Sequence, residues 1–522
     1  MNIKLIYIKI ITVVLCIVIT MQLFGCSSIT AMQNGNSSSK QSSDVILSSS
    51  NIDSPGEVTL LVDSSSNISS IGQSSKTVSS SSNRVSSSSK KTSTSSIASS
   101  SKKVSSSSSK KASSSSKKAS SVSSKSPSSN VQTATASSFD DSGAYSLYKN
   151  NIIATTLPAS TSVNTNSNLY KPLTFSETRG IWVAELGIDF PTTTGAVAQK
   201  QEILKIIENV KNAGLNTIFF QVRPMADALY KSDVFPWSKY LTGTQGKDPG
   251  YDPLAYLIDE AHKSNIAIQA WINPYRVSAK SDYNLLSANN PARLHPEWTI
   301  TYKDSAKNQD WIWFNPGLPE VRNLITQGVS EIVKNYNIDG IHFDDYFYPY
   351  SCSFFEQSGI DDFRRNNVNL LVKQVHDEIK LVNGNTQFGI SPFGIWATKD
   401  VMPDGTATSG MSSYSALFAD SKLWVTNHWV DYICPQVYWG FNQPNKPNYN
   451  VIVDWWSDLC SKSGVALYIG HRSDIVTGGV NYWSNGSINQ VQYAKSKSAY
   501  KGSVYFSYNK LSSMTTKLKE IY

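Results

Sequence analysis

Over residues 177–522 the hydrophobic pattern switches repeatedly between two periods. Eight short runs are apolar at most positions: 180–186, 217–223, 266–273, 340–346, 387–393, 432–438, 465–470 and 503–508. Between them lie stretches with apolar residues three or four apart, at 201–213, 253–264, 319–335, 360–381 and 451–463. A strand that is apolar on both faces must be covered on both faces, as in parallel sheets flanked by helices. Eight such strands alternating with helices predict an α/β fold built as a single (β/α)8 barrel. An open doubly wound sheet is the rival, but no glycine-rich phosphate turn follows the first run and the strand number closes a ring.

The N-terminal third has another texture. Lys4 and Lys9 precede an apolar run at 10–24 broken only by Thr12, Thr20 and Gln22, which predicts a secretory signal over 1–26. Its end, Leu23-Phe24-Gly25-Cys26, resembles the bacterial lipobox and makes Cys26 the expected lipid acceptor; an uncleaved membrane anchor is the alternative. Either way the chain is expected outside the cytoplasm, anchored to the membrane or held in the envelope. Residues 27–138 are dominated by serine with recurrent Lys pairs, which can bury no core and predict a disordered linker with a span of about 60 Å. Residues 139–176 show no clear periodicity and are expected to lead into the fold.

Charge and cysteine content sharpen this division. Eleven Lys or Arg and no Asp or Glu fall between Ser64 and Phe139, more than the formal net charge of +8 for the whole chain. The folded part is therefore near neutral, and the basic linker is either simply solvated or attracted to anionic wall polymers. Nucleic acid is not an expected partner outside the cell. Cys352, Cys434 and Cys460 are an odd number with no close pair, so neither a disulfide framework nor a zinc site is indicated and an apolar core must supply stability. No cofactor is predicted.

In such barrels chemistry sits at the C-terminal ends of the strands. The fourth run reads Asp339-Gly340-Ile341-His342-Phe343-Asp344-Asp345-Tyr346. If Ile341 and Phe343 face the helices, His342 and Asp344 point into the barrel, with Asp344 at its mouth and Asp345 directed away. An inward carboxylate suits glycosidic hydrolysis, where one carboxyl group attacks or activates water and a second protonates the leaving oxygen. A metal held by Asp344, Asp345 and His342 is a further reading, without a recognisable ligand spacing. Other run ends supply sugar-binding candidates: Arg223, Asn273, Tyr275, Arg276, His342, Tyr346, Trp396, Gln436, Tyr438 and Trp439. Arg223 could instead pair with Asp189 or Asp227. Flat aromatic faces beside hydrogen-bonding groups match a pyranose ring.

These residues carry a resemblance. Arg179-Gly180-Ile181-Trp182-Val183-Ala184, Gln221-Val222-Arg223-Pro224, Asp227-Ala228-Leu229-Tyr230, Trp271-Ile272-Asn273-Pro274-Tyr275-Arg276, Ile390-Ser391-Pro392-Phe393-Gly394-Ile395-Trp396 and Pro435-Gln436-Val437-Tyr438-Trp439 resemble the glycosyl hydrolase-like family 10 barrels. The resemblance runs from 177 to the C-terminus. It implies an exported, often lipid-linked glycosidase acting on a cell-surface or wall glycan, with peptidoglycan glycan strands a plausible polysaccharide substrate. The fourth run also resembles that of α-amylase-type barrels, in which the last Asp is the nucleophile. Those families place a Glu acid after the fifth strand, where this chain has Ser391-Pro392-Phe393. The second carboxylate must come from elsewhere, and Asp227 is the expected one, with Asp345, Glu185, Asp189 and Asp474 as other acids within reach of the mouth. A wall-glycan-binding protein without catalysis is the alternative function.

Overall fold

The computed structural model describes residues 138–150, 162–185, 187–304, 308–350, 352–441, 447–473, 483–484 and 488–522. The signal segment with Cys26, the linker up to residue 137 and Asp474 lie outside them. Eight parallel strands close a barrel: β1 (Thr178–Val183), β2 (Thr217–Arg223), β3 (Ala267–Ile272), β4 (Gly340–Phe343), β5 (Gln387–Ile390), β6 (Tyr432–Ile433), β7 (Ala466–Arg472) and β8 (Tyr500–Phe506). Each is followed by a helix: α1 (Ala196–Asn212), α2 (Pro253–Lys263), α3 (Pro319–Asn335), α4 (Ile360–Val382), α5 (Ser421–Thr426), α6 (Tyr449–Ser463), α7 (Gln490–Lys495) and α8 (Leu511–Ile521).

The sequence pattern marks five of these helices. It leaves out α8 and also α5 and α7, whose six residues are less than two turns and too short for a 3.6 period to register. Helix α1 begins earlier than the pattern does because Val197 in its first turn faces solvent. Helix α2 starts where its chemistry dictates, with the Asp252 carboxylate accepting the Ala255 amide (3.0 Å) and Pro253 in the first turn. The pattern also overruns β4, β5 and β6, which end at Phe343, Ile390 and Ile433. Beyond those points the regular ladders stop, and isolated bridges at Phe393–Gln436 and Gln436–Gly470 carry the pairing on. The long 276–317 connection folds as a three-stranded antiparallel sheet of Arg276–Ser278, Thr299–Asp304 and Gln309–Phe314.

The barrel divides the core into two. Ile218, Phe220, Ile268, Ile341 and Phe343 pack outward against the helices, whereas Trp182, Phe219, Trp271, Tyr432, Cys434, Tyr468 and Val504 fill the interior. Large interior rings need small neighbours on adjacent strands. A Cβ on Gly389 would lie 2.1 Å from the Tyr432 ring, and one on Gly340 would lie 2.0 Å from Gln269 Oε1. The interior is also hydrogen-bonded: His342 Nδ1 meets Tyr432 Oη (3.0 Å), and Tyr432 Oη meets Gln269 Oε1 (3.2 Å). Cys352, Cys434 and Cys460 are free thiols.

Gly389→Ala is therefore expected to lower stability by about 1–3 kcal/mol through overpacking against Tyr432. Gly143→Ala, in an exposed helix with nothing within 4 Å of the new methyl, should instead stabilise slightly. Denaturant unfolding of the two variants checks both signs.

Candidate active site

Strand register fixes the centre of the mouth. Trp271 lies beside His342 and Ile272 beside Phe343, so the next residues out, Asn273 and Asp344, are also neighbours. Asn273 Nδ2 and Trp271 Nε1 both donate to Asp344 Oδ2 (2.7 and 3.1 Å), and the Tyr346 amide donates to Oδ1 (3.1 Å). Asn273 is itself held by Gln221 Nε2 (2.7 Å), whose Oε1 accepts the Glu185 amide (2.9 Å). A relay of fixed side chains thus runs from the end of β1 through β2 and β3 to the carboxylate after β4.

Asp345, which alternation directs away from the mouth to bond the loop, does bond the loop at Tyr350, but it also reaches Gln436 at the β6 end. The strand stops at Phe343, and the freed chain turns the Asp345 carboxylate toward Tyr350, which donates to it, and Gln436, which also hydrogen-bonds it. Gln436 is anchored by its Nε2 on Ser391 O (2.9 Å). The two adjacent acids therefore lean apart, Asp344 to the β3 side and Asp345 to the β6 side. Both are almost fully buried, at 4% and 3% exposure. Burial is the first cause that pushes both pKa values up; for Asp344 the charge of Asp345 adds to it. Opposing this are Arg276 for both, the Tyr346 amide and Trp271 for Asp344, and Tyr350 and Gln436 for Asp345. Arg276 is fixed over the Tyr346 ring, 3.9 Å from its centroid, with Trp311 at 5.4 Å.

A second acidic group lies on the β1–β2 side. Asp227 is 2% exposed; Gln245 Nε2 donates to its Oδ2 (2.8 Å), while Oδ1 has no partner among the described residues. Burial pushes its pKa up against the opposing hydrogen bond from Gln245 and the charge of Lys239. Ser238 hydrogen-bonds both Asp227 and Glu185, the latter from Oγ to Oε1 at 3.3 Å, and the charges of Glu185 and Asp227 both act on Tyr240. The charges of both Asp227 and Asp344 act on Arg223.

Several sequence-named residues sit elsewhere. Arg223 is buried, donates to the Pro274 and Met225 carbonyls (2.7 and 3.3 Å) and packs on Phe235, so it forms no hydrogen bond to Asp189 or Asp227 and has no free face for a sugar. Tyr275 is in the helix-side core. Trp396 donates to Asp420 (2.9 Å) and stacks on Trp455 (5.3 Å). His342 lies inside the barrel with Trp182 Nε1 and Ser391 Oγ on Nε2 (3.3 and 2.9 Å), and burial lowers its pKa to about 3. With Nε2 accepting, Nδ1–H donates to Tyr432, and the neutral ring supports the site from below. Asp189 is committed to the Ala184 and Asn509 amides (2.9 and 2.8 Å), joining the ends of β1 and β8.

Gln436, Tyr438, Tyr346 and Trp439 do gather around Asp345 and the β6 end; the Asp345 charge acts on Tyr346 and Tyr438, and Trp439 stands edge-on to Phe393 (5.5 Å). Sequence reasoning missed Trp271, Tyr350 and the half-buried Phe506, whose ring lies 6.3 Å from Trp182 and 6.4 Å from Tyr438. Alternation along the third run, inward at Gln269 and therefore at Trp271, was the available signal for the first. Tyr350 lies past the strand, where no period operates. Among the described residues no three His, Cys, Asp or Glu converge as a metal site.

Raised carboxyl pKa values cost stability that builds up as pH rises from the unfolded carboxyl range of about 4 to the raised native pKa, and the cost is fully present above it. Asp345→Asn removes one buried charge while keeping a hydrogen-bonding amide for Tyr350 and Gln436. It should raise the thermal midpoint near pH 8 by a few degrees, about 1 kcal/mol or more. The gain should fade toward about pH 4, where the native pair is protonated. Scanning calorimetry across that range decides it.

Residues 177–482 match the family pattern described as glycosyl hydrolase-like 10. The chain is 41% identical over 368 residues to glycosyl hydrolase YngK of Bacillus subtilis (strain 168), covering 66% of this chain and 70% of that protein. It is 36% identical over 326 residues to glycosyl hydrolase DigH of Escherichia coli (strain K12), covering 56% of this chain and 72% of that protein. The glycoside hydrolase domain of PgaB (BpsB) from Bordetella bronchiseptica superposes with a TM-score of 0.44 at 10% identity, over 65% of this chain and 97% of that one. With the family pattern spanning β1 to β7 and two relatives named as glycosyl hydrolases, the chain belongs to the glycosyl hydrolase-like 10 family and is a glycosidase.

Proposed function

We propose that this glycosidase is exported, held to the membrane through lipid on Cys26, and hydrolyses the glycan of the cell wall, with peptidoglycan glycan strands as substrate. The observation that carries the chemistry is Asp344 at the barrel mouth with three fixed N–H donors on its two oxygens. Those donors favour the carboxylate form and hold it in one orientation, as a nucleophile or a base for water requires. Asp227 is the proton donor in this reading: burial raises its pKa, the direction that a general acid needs. Asn273 orients Asp344, Gln436 holds the neighbouring Asp345, and Tyr346, Tyr438 and Trp439 give the sugar apolar faces.

The substrate and the location rest on the N-terminal residues. A signal ending in Leu23-Phe24-Gly25-Cys26, then a long serine-rich tract with eleven bases, supports a catalytic barrel that works at a distance from the membrane among anionic polymers. Labelling with a radioactive fatty acid, lost on Cys26→Ala, tests the anchor.

On peptide-stripped wall glycan, Asp344→Asn should lower reducing-end release by about 10³-fold, and Asp227→Asn by about 10²-fold. Equal release by wild type and Asp344→Asn would remove Asp344 from the mechanism. Trp271→Phe deletes an N–H that lowers the Asp344 pKa, so the acid limb of the kcat/KM profile should move to higher pH. The anomer of the first product, read by NMR, separates attack by Asp344 from activation of water.

A further inference from the structure

The described residues ahead of the family match do not simply lead to β1 at the barrel floor. The first of them sit beside the loop that follows β4. Ser138–Phe139 pairs in parallel with Ser353–Phe354, and the Phe355 amide donates to Phe139 O (3.1 Å). Phe139 is wholly buried, edge-on to Tyr348 (5.6 Å) and Tyr302 (6.0 Å) and tilted against Phe354 (5.8 Å).

Two residues on, Asp141 accepts both arms of Arg364 in the first turn of α4, Nε to Oδ2 at 2.8 Å and Nη2 to Oδ1 at 2.7 Å, with no exposed surface on either side chain. Arg364 also donates to Phe355 O (2.7 Å) and packs on Phe354 and Phe418. The helix Ser142–Lys149 then sends the Tyr145 hydroxyl to Ser358 O (2.6 Å) and Ala144 against Gly317, where a Cβ would come within 2.7 Å. Farther along, the Asn164 amide donates to Lys380 O (2.8 Å), so the chain ahead of β1 touches α4 at both its ends.

A tether whose only role is reach needs no buried, bidentate ion pair at its end, because breaking such a pair strands a charge. What these contacts clamp is the stretch from Tyr348 to Arg364. That stretch carries Tyr350, which donates to Asp345, and continues directly from Asp344.

We propose that residues 138–149 are a positioning strap for the loop after β4, with Phe139 and Asp141 holding Tyr350 on Asp345 and so keeping the carboxylate pair aimed into the mouth. This rests on Asp344 being the reacting carboxylate. Phe139 touches the loop, Asp141 reaches it through Arg364, and both act as positioning residues. The catalytic unit is then longer than the family match, and the end of the tether is part of the enzyme.

Full-length Phe139→Ala and Asp141→Asn test the strap by two readouts. Amide hydrogen exchange over 344–359 should quicken about tenfold or more in both variants and stay unchanged over β7 on the far side of the ring. With peptide-stripped glycan, kcat should fall about tenfold or more while KM stays within about twofold. Phe139→Leu should restore most of the rate. Unchanged exchange over 344–359 in both variants overturns the proposal, as does quickened exchange with unchanged kcat. If the wild-type chain cuts no wall glycan, the functional reading falls, and the exchange comparison alone decides whether the strap holds the loop.

Discussion

Two adjacent carboxyl groups buried at one strand end are the costly feature around which this barrel is organised. Neither can be ionised in an apolar setting without fixed donors, and both cannot be ionised cheaply at once. The ring answers this by register. Closing eight strands puts Asn273 level with Asp344 and Trp271 beneath it beside His342, while the turn past Phe343 hands Asp345 to Tyr350 and Gln436. Arg276, immobilised on Tyr346 and near Trp311, supplies a positive field to both without entering the barrel.

The supporting layer is as polar as the site. His342, Tyr432, Ser391, Gln269 and Trp182 form a connected hydrogen-bond network beneath the acids, with the imidazole kept neutral by burial. A network of this kind specifies one arrangement of the interior rings, since every donor has one acceptor to reach. The glycines at Gly340 and Gly389 make room for Gln269 and Tyr432, so the strand nearest the chemistry is also the one with least tolerance for added volume.

Much of the fold was legible because barrels impose strong local signals. Continuous apolar runs of strand length, spaced by helical periods, specify burial on both faces. Inward His342 and outward Ile341 and Phe343 follow from alternation alone. The short helices α5 and α7 and the strap at 138–149 were not legible, since six or eight residues hold too few turns for a period to stand out. The site was legible as a place more than as a list. Asp344 was indicated by its position, but Arg223, Tyr275 and Trp396, equally polar or aromatic and equally near strand ends, are committed to packing or backbone carbonyls.

The sequence by itself determined the number and order of the barrel strands, the inward or outward face of residues within the fourth strand, and Asp344 as the acid at its end. These depend on periodicity, which is local. Only the tertiary structure decided which neighbours those residues meet: that Asn273 and Trp271 hold Asp344, that Asp345 meets Gln436 as well as Tyr350 once its strand has ended, and that Asp141 finds Arg364 more than two hundred residues away. Such pairings depend on register between strands and on the path of loops, and neither leaves a repeating trace along the chain.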